Sequence, residues 1–123
     1  MTEALKSKGI LAAEGRYIGL DRPHLPTEAK SRKTVPIATG FIDYFPDACA
    51  AIAEVSWHGN QQHNPGQPLH WAREKSNDHD DCLMRHFLER GTIDTDGLRH
   101  SAKMVWRAMA ILQLEIEKAK SST

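Results

Sequence analysis

The amino-acid sequence predicts an all-α fold, a helical bundle with an extended N-terminal arm and a long polar loop. Three observations predict it. Apolar residues recur at helical spacing in separate stretches of the chain, Gly and Pro punctuate the intervals, and helix-end signals flank the stretches, among them Pro46, Gly91 and Lys118. With 123 residues and 40% hydrophobic content the chain has the size of one domain and can bury one core. The predicted organisation is an arm over residues 1–40 and a helical body over 41–123.

The arm mixes Gly, Pro, Lys and Thr, and Arg22-Pro23-His24-Leu25-Pro26 forbids a continuous helix in it. Its short apolar stretches, Ile10-Leu11-Ala12-Ala13 and Val35-Pro36-Ile37, either dock on the body or a neighbouring subunit, or stay disordered. A first core helix is expected from Pro46, which suits a first turn, through Cys49, Ile52 and Val55 to Gly59. Gly59 to Pro68 then reads as a long polar loop, and loops of that length inside a compact domain are more often functional than idle. The second helix is expected from Ser76 or Asn77 to Gly91. The third follows Asp94-Thr95-Asp96-Gly97 and runs to about Lys118, where Lys118 and Lys120 complement the dipole. Leu98, Ala102, Val105, Met109, Leu112 and Ile116 form one apolar row on it, and Met104, Ala108 and Ile111 a second. An arc that wide predicts a central helix or a subunit contact, hence a homo-oligomer, a dimer or tetramer.

Charge is balanced at 16 basic and 16 acidic residues, so nothing asks for nucleic acid or a membrane as partner. The acids concentrate in the body: residues 42–123 carry nine Lys/Arg against twelve Asp/Glu, which suits a site that holds cations. Cys49 and Cys82 belong to no CxxC pair, which excludes a disulfide framework or zinc ribbon. No signal peptide or run of roughly 18 apolar residues is present, so the chain reads as cytoplasmic.

At about 100° per residue, Asp78, Asp81, Arg85 and Glu89 share one stripe of the second helix. One reading is a solvated ladder, Asp81 with Arg85 and Arg85 with Glu89. The other begins from Asp47 and Glu54, seven residues apart on one face of the first helix with the small Ala50 and Ala51 between them. If the two faces meet, four carboxylates converge. Such a cluster needs cations, and Mg2+ or Mn2+ suits an all-oxygen site, where it would activate a water. Asp80 points about 200° away from Asp78 and reads as a bystander. Spacing alone leaves both readings open.

The sequence resembles the phage dATP/dGTP diphosphohydrolases, a branch of the MazG-like all-α nucleoside triphosphate pyrophosphohydrolases. The resemblance covers roughly Val35 to Glu117. It rests on Tyr44-Phe45-Pro46-Asp47-Ala48, Gly59-Asn60-Gln61-Gln62-His63-Asn64-Pro65-Gly66, Leu69-His70-Trp71, Asp78-His79-Asp80-Asp81, Arg85-His86 and Gly97-Leu98-Arg99-His100-Ser101-Ala102-Lys103. MazG-like enzymes carry EExxE on one helix and ExxD on the next. Asp78 and Asp81 match the second segment and Glu54 the last acid of the first, while Ala50 and Ala51 stand where two acids are expected and Asp47 lies a turn early.

The resemblance implies cleavage of a purine deoxynucleoside triphosphate, dATP or dGTP, to the monophosphate and pyrophosphate by a metal-activated water. A role in adjusting a phage's deoxynucleotide pool would follow. It implies Glu54, Asp78 and Asp81 as catalytic metal ligands with Asp47 as a fourth, on Mg2+ or Mn2+. Lys75, Arg85 and Lys103 are then candidates for phosphate contacts, or plain surface cations. Asn60, His63, Asn64 and Trp71 are candidates for base or sugar contacts, with loop capping the competing role of the asparagines. His79 either orients a phosphate or water or occupies an exposed first turn, and His100 reaches the nucleotide or another subunit. The histidines show no close pair on one helical face, which argues against zinc. Two rivals are kept. One is an HD-type triphosphohydrolase built on His79-Asp80, with His63 or His70 and Asp94 or Asp96, releasing nucleoside and triphosphate. The other is a non-catalytic helical adaptor.

Overall fold

A computed structural model describes residues 25–121. The helix α1 covers Ala29–Arg32, a single π-turn covers Ala38–Ile42, α2 covers Pro46–His63, a 3-10 turn covers Arg73–Lys75, α3 covers His79–Leu88 and α4 covers His100–Ser121. No strand occurs among the described residues, apart from one antiparallel bridge between Ile93 and Arg99. The all-α expectation is met.

Two compact units divide the described residues, the first holding 25–46 and 60–70 and the second 47–59 and 71–121. In the first, Arg32 Nη1 donates to the Pro26 carbonyl at 2.8 Å, and the Phe45 ring stands edge-on to Phe41 and Tyr44. The part of the predicted arm before residue 25 lies outside the described residues.

The predicted boundaries need three corrections. The first core helix does not stop at Gly59 but continues to His63, because the Asn64 amide donates back to Asn60 O at 2.7 Å and closes a last turn. The loop is correspondingly shorter. It is closed by Asn60, whose Nδ2 donates to Gln67 O at 2.8 Å, and turned by Gly66 at a φ of 80°. The second helix begins at His79 rather than at Ser76 or Asn77. Asp78 takes the cap position in a non-helical conformation, with no side-chain capping bond. At its other end α3 stops at Leu88, and Gly91, at a φ of 85°, reverses the chain beyond it.

The packing of α3 on α4 organises the second unit. Leu98, Ala102 and Ala110 are its buried apolar residues, joined by buried His79 and His100. Met109, Leu112 and Ile116 on the far half of α4 stand exposed in the single chain. The middle of α2 is tied in by Trp106, whose Nε1 donates to Ser56 Oγ at 2.8 Å. Arg73 lies over the Trp71 ring and forms a two-pronged pair with Glu117, Nε to Oε1 and Nη2 to Oε2 both at 2.9 Å. That pair anchors the 3-10 turn to the end of α4.

Candidate functional site

The turn between α3 and α4 is written in the residues Asp94-Thr95-Asp96-Gly97. Asp94 O accepts from the Gly97 amide at 2.9 Å, and Asp94 N donates to Leu98 O at 2.8 Å. Gly97 adopts a φ of 85°, which a side chain would strain, and Asp96 Oδ1 accepts from the Leu98 amide at 3.0 Å. The His100 amide then donates to Thr92 O, so the first residue of α4 is brought back beside the segment that leaves α3.

This turn gathers a polar cluster. His86 Nδ1 and His100 Nδ1 are 2.9 Å apart, and Asp94 Oδ2 lies 3.9 Å from His100 Nδ1. On its other edge, His100 Nε2 faces Glu89 Oε2 at 3.4 Å. The Lys103 ammonium bridges Asp94 and Asp96, 2.7 Å from each. That bond and the Thr95 amide hold the Asp94 carboxyl down to about 2, and the same lysine lowers Asp96. Burial, and then the neighbouring His100, lowers the pKa of His86. Among the described residues, His86, Asp94 and His100 are the one set of three side chains of metal-binding type whose ligand atoms all lie within 4.8 Å of one another.

The carboxylates singled out by spacing are arranged differently. Asp47, Glu54, Asp78 and Asp81 are all exposed, and they supply no such set within the described chain. Asp78 precedes the helix instead of sharing a regular stripe with Asp81, and its Oδ2 faces Arg85 Nη2 at 3.8 Å and Cys82 Sγ at 3.6 Å. The solvated ladder is altered too, since Arg85 turns to Asp78 and Cys82 rather than to Asp81 and Glu89. Among the described residues these acids form no group of three whose ligand atoms lie within 4.8 Å of one another.

The other predicted residues fall in two places. Asn60, His63 and Asn64 lie in the first unit, Asn60 buried and committed to closing the loop, His63 exposed. In the second unit Trp71 meets Trp106 edge-on at 5.8 Å between ring centres, and Arg73 covers it at 4.3 Å. Lys75 and Arg85 are exposed cations. His79 is not in an exposed first turn but buried, with Nδ1 3.0 Å from Arg107 Nη1. A guanidinium only donates, so Nδ1 accepts and the proton sits on Nε2, which has no partner among the described residues. Burial first and Arg107 second lower the His79 pKa.

Sequence reasoning passed over His86 as a site residue. The signal that would have found it is the turn itself, because Asp94 to Gly97 folds the chain back and pairs the end of one helix with the start of the next. A close imidazole pair exists, drawn from two helices rather than one.

The chain belongs to the dATP/dGTP diphosphohydrolase N-terminal family, whose model matches residues 26–123. No curated protein and no solved structure matches it.

Proposed function

We propose that this chain hydrolyses a purine deoxynucleoside triphosphate, dATP or dGTP, to the monophosphate and pyrophosphate. The observation that carries the reading is the family match over residues 26–123, nearly all of the described chain. In such a reaction water forms a bond to the α-phosphorus as the bond to the β-phosphate oxygen breaks, and pyrophosphate leaves. The protein's task is positioning and neutralising the charge that develops. Exposed Lys75 and Arg85 are suited to phosphate oxygens, with Asn64 and His63 as further candidates for the nucleotide.

A requirement for Mg2+ or Mn2+ is part of this proposal, with Glu54, Asp78, Asp81 and Asp47 as candidate ligands. The exposed Met109, Leu112 and Ile116 of α4 support a homo-oligomer, a dimer or tetramer. The rival built on His79-Asp80 is disfavoured by the engagement of His79 with Arg107.

The test is incubation of the purified protein with dATP, dGTP and the other nucleoside triphosphates, with Mg2+, Mn2+ or chelator. Release of pyrophosphate from the purine substrates is expected. Release of triphosphate would move the protein to the HD-type reading, and absence of both binding and turnover would make it an adaptor.

A further inference from the structure

The groups around the α3–α4 turn have more in common with a metal centre than with a helix staple. His86 comes from the last turn of α3, Asp94 from the turn and His100 from the start of α4, so three separate elements aim one ligand atom each at a common point. We propose that His86 Nδ1, His100 Nδ1 and Asp94 Oδ2 form a binding site for a divalent transition-metal ion, of the two-histidine, one-carboxylate kind.

Ligand chemistry sets the ion class. The two imidazole nitrogens, 2.9 Å apart at hydrogen-bonding distance, are close enough to be held by one ion. Asp94 Oδ2, 3.9 Å from His100 Nδ1 and 2.7 Å from the Lys103 ammonium, supplies the third ligand atom after a side-chain rotation toward the pair. Imidazole nitrogens favour Mn2+, Fe2+, Co2+ or Zn2+ over Mg2+, which prefers an all-oxygen shell. His86 and Asp94 are only partly buried, so solvent reaches the site.

The surroundings fit. His100 presents its other ring nitrogen to Glu89 Oε2 at 3.4 Å, which places the proton on Nε2 and the lone pair of Nδ1 toward the site. Two imidazole nitrogens 2.9 Å apart share one proton between them. A cation takes the place of that proton, which leaves to solvent as the metal–nitrogen bonds form. Lys103 holds the ligating carboxylate by a hydrogen bond, as ligating carboxylates commonly are held. The carboxylates of Glu89, Asp94 and Asp96 surround the pair, with Lys103 and Arg107 as the nearby cations.

The inference does not rest on the proposed reaction, since it is tested without nucleotide. The full chain, stripped with chelator, is titrated with Mn2+ and with Co2+ by calorimetry, and the Mn2+ complex is examined by pulsed electron paramagnetic resonance. One ion with imidazole-nitrogen couplings is expected per chain, couplings that a site of carboxylates alone cannot produce. His86→Gln and Asp94→Asn are each expected to weaken binding at least tenfold, and Glu89→Gln about tenfold. Because His86 is half-exposed, His86→Gln is the variant most tolerant of substitution, and circular dichroism checks its fold. Absence of binding at millimolar Mn2+ and Co2+, absence of nitrogen couplings, or unchanged affinity in a folded His86→Gln variant would each overturn the proposal.

Discussion

His86 and His100 meet nitrogen to nitrogen across 2.9 Å, although fourteen residues separate them in the chain. The contact depends on the turn at residues 94–97, whose hydrogen bonds return the chain against the end of α3. Local turn chemistry thus sets the geometry of a tertiary site.

Gly97 is the hinge of that turn. An added Cβ would meet no atom within 4 Å, so the cost of Gly97→Ala comes from its φ of 85° alone. A loss of about 1 kcal/mol is expected, measured by urea unfolding, together with weaker Mn2+ binding as Asp94 shifts from His100.

Lys103 neutralises two acids at once. With the Asp94 carboxyl held at about 2 and that of Asp96 also lowered, both lose more protons in the folded than in the unfolded chain. Their contribution is therefore fully present above the ordinary carboxylate value of 3.8 and is lost as pH falls from there toward 2. Lys103→Met should lower Tm by several degrees at neutral pH and flatten this acid limb, as read by thermal circular dichroism.

His79 is kept neutral by burial and by Arg107, so the folded protein takes up its proton less readily than the unfolded chain does. Stability from this residue is present above pH 6.5 and falls as pH drops below it. His86, lowered by burial and by His100, acts in the same direction. Urea midpoints of the wild type should decline on acidification through this range, and His79→Leu should decline less.

Trp106 and Ser56 make the hydrogen bond between α4 and the middle of α2 at 2.8 Å. Ser56→Ala leaves the indole N–H without its acceptor, an expected loss of about 1 kcal/mol. The Trp106→Phe background should abolish most of that loss, since both partners are then gone, and a double-mutant cycle reads the coupling.

Much of the fold is legible in the residues themselves. Helical spacing of apolar positions and the Pro and Gly signals determined that the chain is all-α and located α2, α3 and α4 to within a few residues. The family was legible too, because its motifs are short strings of neighbours such as Arg85-His86 and Gly97-Leu98-Arg99-His100, and its model matches residues 26–123. Where a helix ends was less so. Asn60 bonds to Gln67 seven residues on, a contact no periodicity encodes, and the turn it closes carries α2 past Gly59.

The carboxylate stripe and the histidine pair mark the boundary most clearly. Sequence periodicity assigns positions to the faces of one ideal helix, and on that basis Asp78 and Asp81 were companions. Only the tertiary structure sets Asp78 ahead of the helix and against Arg85, and joins His86, Asp94 and His100 from three elements. The physical reason is that side-chain spacing is a property of a single regular segment. Convergence of groups from several segments depends on how a turn folds and how two helices pack, here α3 on α4.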